Sequence, residues 1–122
     1  MCGGERGRNG QAAASAWAQG GLAAALSPED DPSLHAFDTV AAGAGIVDPV
    51  VARLIADDGP HRVRDLLELG VPFDRTSEGD LALSLEAAHS RPRVARVSGD
   101  LAGKAIMEAL SYAVSASAHI EV

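Results

Sequence analysis

The chain reads as α/β, with helices laid over a sheet most of which is expected outside this stretch. Three features carry that reading. Short amphipathic segments recur between residues 31 and 116, each punctuated by proline and glycine. A strand is implied at each end of the helical run. No apolar run reaches the roughly 18 residues a bilayer span needs, and the 47% hydrophobic content is too high for disorder over the whole length. With 122 residues there is room for one domain or part of one.

Residues 1 to 11 are glycine-rich and charged, without periodicity, and are expected to form a disordered or aberrant tail. Residues 12 to 122 make up the folded part. Ala12 to Leu26 is alanine-rich and helix-prone until Gly20-Gly21, a pair expected to turn the chain with positive φ. Asp31-Pro32 is an N-cap followed by proline at the first helical position, and it opens a helix striped by Leu34, Phe37 and Ala41 that Gly43-Ala44-Gly45 ends. Asp48-Pro49 opens a second helix with Val51, Leu54 and Ile55 on one face. Gly59-Pro60 is expected to stop it and open a third, striped by Val63, Leu66 and Leu67. Spacings of three and four are helical, and such faces must lie on something apolar.

From Val71 to Asp100 the periodicity fades into a long irregular stretch with one or two short strands, the kind of segment that carries function. A last helix runs from about Leu101 to Ala116, with Ile106, Leu110, Ala113 and Val114 inward. His119 to Val122 then begins a strand, and the sequence looks cut there.

Ten basic residues against seventeen acidic ones give a net charge of −7, which argues against nucleic acid. Cys2 is the single cysteine, so neither a disulfide framework nor a cysteine zinc site is expected, and a reducing cytoplasm fits. No pair of histidines stands at metal-ligand spacing. The N-terminus lacks the apolar segment of a signal peptide. Neither phosphate fingerprint, G-x-G-x-x-G or G-x-x-x-x-G-K-[ST], is present.

Two clusters remain. Gly20-Gly21 either closes a helix or lets a ligand approach the backbone closely. His89, Arg91, Arg93 and Arg96 concentrate cations in an acid-free segment: either they grip carboxylates or phosphates in bidentate fashion, or they pair with acids such as Asp80 or Asp100. Glu86, just ahead, either meets a substrate ammonium or is simply solvated. His35 and His61 sit on helix faces that look exposed and suggest no role.

Together these pieces resemble the L-aspartate oxidase family of the succinate dehydrogenase and fumarate reductase flavoprotein superfamily. Ser15-Ala-Trp-Ala-Gln-Gly-Gly-Leu-Ala-Ala-Ala-Leu26 looks like that family's flavin-contacting segment. His35 to Gly45, Gly70-Val-Pro-Phe-Asp-Arg75, Glu86-Ala-Ala-His-Ser-Arg91 and Asp100-Leu-Ala-Gly-Lys104 follow in the family's order. The A-Q-G-G motif is shared across the superfamily, whereas the H-S-R stretch after a glutamate points to the oxidase.

The resemblance implies a partial FAD-binding, Rossmann-like domain over residues 12 to 122, a helix-rich fragment lacking most of its parallel sheet. It implies cofactor contacts from Ala14, Ser15, Ala16, Trp17, Ala18, Gln19, Gly20 and Gly21. It places Glu86 by the substrate amino group and His89 beside it. The activity implied is oxidation of L-aspartate to iminoaspartate by hydride transfer to FAD, in quinolinate and NAD synthesis, with oxygen or fumarate as electron acceptor. No membrane, metal or nucleic acid partner is implied. The superfamily's covalent flavin hangs on a histidine before A-Q-G-G. Here Ala14-Ser15-Ala16-Trp17 stands there, so non-covalent FAD is expected. The family's strand and G-x-G-x-x-G turn should precede residue 12, where MCGGERGRNG is found, and its catalytic arginine should lie beyond Val122. No catalytic residue is therefore assigned within the chain, which by itself is expected to be inactive. Two other readings are a piece of a related dicarboxylate oxidoreductase and a non-catalytic helical interaction module. The family commonly has glycines where this chain has Ala87-Ala88.

Overall fold

The computed structural model describes residues 14–122, and the tail expected over residues 1 to 11 lies outside the described residues. In chain order the elements are a single 3-10 turn over Ala14–Trp17, β1 (Leu22–Ala23), α1 (Pro32–Ala42), α2 (Pro49–Glu68), β2 (Leu83–Ser84), β3 (Val94–Ala95) and α3 (Ala102–Ser115). The strands form one small sheet in the order β1-β3-β2, antiparallel at both pairings. Ala95 stands opposite Leu22 on one side and Leu83 on the other. Among the described residues this sheet takes the place of the parallel sheet that the domain class suggests.

The caps form as their residue types require. Asp31 accepts from the backbone N–H of Ser33 at 2.7 Å, and Asp48 accepts from those of Val50 and Val51. Each such cap stabilises its helix by about 1 kcal/mol. Pro60, however, does not end a helix: α2 runs unbroken through it. A proline disfavours helix in the preceding residue by clashing with that residue's Cβ, and Gly59 has none. Pro60 itself is buried, so packing offsets the lost bond to the Ala56 carbonyl. Arg53–Asp57 and Arg62–Asp58 pairs line the outer face.

The buried face of α2 is Ala52, Ala56, Pro60 and Val63, while Val51, Leu54 and Ile55 point outward. In α1 the buried residue is Ala36, and Phe37 of the expected stripe is 72% exposed. Small side chains let the two helices and the sheet approach closely, and they leave the bulky residues outside. The core is correspondingly modest: Ala24, Val63, Val71, Phe73, Ala95, Val97 and Ala102, flanked by Leu22, Leu66, Leu83 and Ile106. Leu110 of α3, expected inward, is 38% exposed. The strand expected at His119–Val122 is absent; the Ile120 N–H closes a turn onto the Ser117 carbonyl instead. A strand needs a neighbour to complete its hydrogen bonds, and none is offered there among the described residues.

The described part of the alanine-rich stretch before Gly20 is likewise no α-helix: it holds only the 3-10 turn, and β1 follows Gly21. Gly21, at φ +125°, redirects the chain into the sheet. A Cβ there would sit 2.6 Å from the Ala95 carbonyl oxygen, so only glycine lets β1 lie this close to β3.

Arg93 ties these parts together. Its N–H donates to the Ser84 carbonyl at 3.2 Å, and its C=O accepts from the Ala24 N–H at 3.0 Å, which stitches both outer strands to the central one. The side chain, 0% exposed, makes a two-pronged contact with equally buried Asp30, through Nε and Nη2 at 2.9 Å each. Its Nη1 donates to Asp38 of α1 at 2.8 Å. Asp38 also accepts from the N–H and hydroxyl of Ser90, at 2.7 and 2.8 Å. The loop between β2 and β3 is thereby fastened to α1. At its tip the His89 N–H bonds the Glu86 carbonyl across a tight turn whose third residue, Ala88, has φ +72°. A glycine would hold that conformation freely, whereas alanine gives up about 1 kcal/mol.

His35, expected to be exposed, is half-buried: its ring lies 5.6 Å from that of His89, and its Nδ1 is buried without a hydrogen-bond partner. Burial, reinforced by the nearby Arg93 cation and His89, holds its pKa below the ordinary 6.5. His61 is exposed, as expected.

Two outcomes follow from this network. Arg93→Met strands the buried Asp30 carboxylate and takes a donor from the partly buried Asp38, and it is expected to lower stability by about 3 kcal/mol, measured by urea unfolding; a loss below about 1 kcal/mol contradicts the account. The pH dependence has a definite sign. A folded His35 that resists protonation loses stability as pH falls below 6.5, because the unfolded chain takes up the proton first. Burial raises the Asp38 carboxyl, but the Ser90 and Arg93 donors outweigh it, so its net pKa is below 3.8 and its contribution disappears only under that pH. Melts between pH 7.5 and 3 should show two declines, and His35→Leu should remove the upper one. An upper decline that survives in that variant contradicts the assignment.

Candidate functional site

One end of the small sheet brings together most of the residues singled out from the sequence. Ala14–Trp17 and the following Ala18 to Gly21 pass along the surface, with Trp17 76% exposed and Ala18, Gln19, Gly20 and Gly21 all exposed. Nothing lies within 4 Å of where a Gly20 Cβ would stand, so the backbone at Gly20 is open to a flat group. From behind, the segment is seated on α3. The Gly103 N–H donates to the Ala18 carbonyl at 2.9 Å, and a Cβ on Gly103 would stand 2.6 Å from the same oxygen. The Asp100-Leu-Ala-Gly-Lys104 helix start is thus the floor under this segment.

Across the sheet stands Glu86, just past β2. Its Oε1 accepts from the Ser84 hydroxyl at 3.2 Å and from Nη2 of Arg96. Arg96 also donates from Nε to the Ser84 hydroxyl and from Nη1 to the Gly99 carbonyl, each at 3.2 Å. Hydrogen bonding to Arg96, with the charge of its guanidinium, holds the Glu86 carboxyl below the usual glutamate range. The Arg96 side chain also borders Gly21: a Cβ there would stand 3.2 Å from Arg96 Cγ.

The arginine cluster is mostly engaged. Its partners are Asp30, Asp38 and Glu86, rather than the Asp80 or Asp100 considered from the sequence. Arg93 is closed inside the protein and has no access to a ligand. Arg91 bonds the carbonyls of Glu29 and Ser90. His89 Nδ1 lies 3.2 Å from Arg93 Nη1. A guanidinium only donates, so Nδ1 accepts, and a neutral His89 carries its proton on Nε2. Such an imidazole offers a donor to a carboxylate. His35 was passed over because a single histidine on a helix carries no sign of what another segment brings against it. Asp38 was missed for the same reason. No group of metal-ligating residues is found among the described residues, nor a helix long and apolar enough to cross a membrane.

These features suit a flavin. At Gly20 no side chain would hold a flat group away from the backbone.

Comparison with known proteins points to the same cofactor. Residues 5–122 match the model of the FAD binding domain family. The L-aspartate oxidase of Caulobacter vibrioides is 61% identical over 108 residues, covering 88% of this chain and 21% of the relative. Among solved structures, Mycobacterium smegmatis Sdh1 in complex with UQ1 superposes with a TM-score of 0.76 at 33% identity, over 82% of this chain and 17% of that one. The FrdA chain of E. coli quinol fumarate reductase shares the fold, with a TM-score of 0.81 at 22% identity over 88% of this chain and 18% of that one. The chain spans about a fifth of the length of the curated relatives it matches. It belongs to the FAD-binding domain family, whose cofactor is FAD, and within that family it resembles the L-aspartate oxidases.

Proposed function

We propose that residues 12 to 122 are the flavin-side portion of an L-aspartate oxidase, and that Ala14 to Gly21 form the cofactor contact while Glu86 and His89 form the substrate contact. The observation that carries this reading is the placement of a paired, ionised Glu86 across a three-stranded sheet from the open A-Q-G-G backbone.

Bound FAD supplies the hydride acceptor for oxidation of L-aspartate at C2, and no histidine among Ala14 to Trp17 is available to anchor it covalently. The chain's own residues do the rest of what happens on this side. Glu86 accepts a hydrogen bond from the substrate ammonium, which succinate lacks, so a carboxylate here favours the amino acid. His89, with its proton on Nε2, donates to a substrate carboxylate. Gly103 and α3 hold the flavin-facing backbone rigid, so the two contacts keep a fixed spacing. The iminoaspartate so formed belongs to quinolinate and NAD synthesis in the cytoplasm, with oxygen or fumarate as the final electron acceptor. The chain carries no G-x-G-x-x-G turn for the pyrophosphate, so we take the 122 residues by themselves to be inactive.

A chimera tests the assignment: residues 14–122 replace the matching segment of the Caulobacter vibrioides enzyme. It is expected to reduce its flavin with L-aspartate. Glu86→Gln should lower kcat/KM for L-aspartate by about 10- to 100-fold, the worth of a hydrogen bond to a charged group. A chimera that binds FAD but turns over L-aspartate equally well with Gln at that position would contradict the role given to Glu86.

A further inference from the structure

Arg96 occupies a position that the functional reading leaves without a task. It follows the central strand β3 directly, so it stands between the two outer strands and what they lead to: Gly21 on the β1 side, Ser84 and Glu86 on the β2 side. Its guanidinium is immobilised by acceptors from three separate places, the Ser84 hydroxyl, the Gly99 carbonyl and Glu86 Oε1. Ser84 donates to the same carboxylate oxygen. Both contacts therefore fall on Oε1, and among the described residues Oε2 receives no hydrogen bond. A carboxylate has about four acceptor sites, so the unused oxygen retains its full capacity toward an incoming donor.

We propose that Arg96 is a positioning and specificity-determining residue of this site, gripping Oε1 of Glu86 so that Oε2 faces the substrate's ammonium group while the guanidinium offsets the carboxylate's repulsion of a dicarboxylate. The inference rests on the reading of Glu86 as the ammonium ligand. Its physical basis is a conflict within the substrate. L-aspartate carries one ammonium and two carboxylates, so an unpaired glutamate would attract the first and repel the others. Pairing with Arg96 cancels the long-range repulsion. The directional hydrogen bond through Oε2 survives, and it is short-ranged enough to report on the ammonium alone. An ordinary glutamate is ionised at neutral pH without help, so what Arg96 contributes there is aim and charge balance.

Two readouts test this. In the 122-residue chain, carbon-detected NMR of the Glu86 carboxyl and the Arg96 guanidinium is followed from pH 7 to pH 2.5. The two sets of signals are expected to move with one shared midpoint below the ordinary glutamate value. Arg96→Gln should raise the carboxyl midpoint, and Arg96→Lys, which returns a cation without the planar fork, should bring it part of the way back. Separate midpoints in the wild-type chain would overturn the proposal, and that measurement needs no variant to fold. In the chimera, Arg96→Gln is expected to raise KM for L-aspartate about tenfold with kcat little changed. An unchanged KM would overturn it as well. The role of Glu86 itself fails separately: if Glu86→Gln leaves L-aspartate turnover intact while the two groups still titrate together, the pair stands and the ammonium contact falls.

Discussion

A fully buried guanidinium between two carboxylates is the constraint on which the arrangement depends. Arg93 is locked to Asp30 and Asp38 with no exposure of its side chain, while its backbone joins all three strands. At its start the loop from Glu86 to Pro92 is held by Arg96 and Ser84, and Arg91 bonds the Glu29 carbonyl; the loop's tip is fastened to α1 through Asp38. It has no regular structure, and its tip passes through a strained Ala88. Burying such a cluster is costly unless every partner is satisfied, and here the Ser90 N–H and hydroxyl and the His89 ring supply further partners. The gain is positional. An irregular loop carrying Glu86 and His89 is held at a fixed distance from a sheet end whose other side is the open Gly20 backbone.

The core explains why polar anchoring matters so much. It is built largely of alanine and valine, and large apolar side chains such as Phe37, Leu54 and Ile55 stay outside. Burial of small residues contributes less per residue than burial of leucine or phenylalanine, because less apolar area leaves water. Directional contacts therefore have a larger share in fixing where elements sit: the Asp31 and Asp48 caps, the Gly103 seat under Ala18, and above all the Arg93 cluster.

Local signals were readable in the sequence wherever chemistry is local. Aspartate-proline helix starts, the Gly43 to Gly45 stop and the turn at Gly21 depend on a residue and its immediate neighbours, and each formed where expected. Two departures from the sequence expectation have local causes too. Pro60 has the look of a helix break, but Gly59 removes the clash that would make it one, and in α2 the alanines pack inward in place of the bulky stripe. What the sequence could not show was pairing across distance. Arg93 meets Asp30 and Asp38 from 63 and 55 residues away, and nothing in the spacing of the arginine cluster distinguishes a buried structural arginine from one held ready beside Glu86. The flavoprotein resemblance was legible from motif order, and it identified the segments that matter without revealing how Arg96 and Gly103 connect them.

Hydrogen exchange at the Ser90 amide tests the central claim most directly, because that N–H bonds the Asp38 carboxylate and reports only on whether the loop is fastened. With the wild-type chain, Ser90 should be protected although it sits at the surface. In Arg93→Met it should exchange at the rate of an open loop while amides within α3 keep measurable protection. A Ser90 amide that stays equally protected without the buried guanidinium would contradict the account.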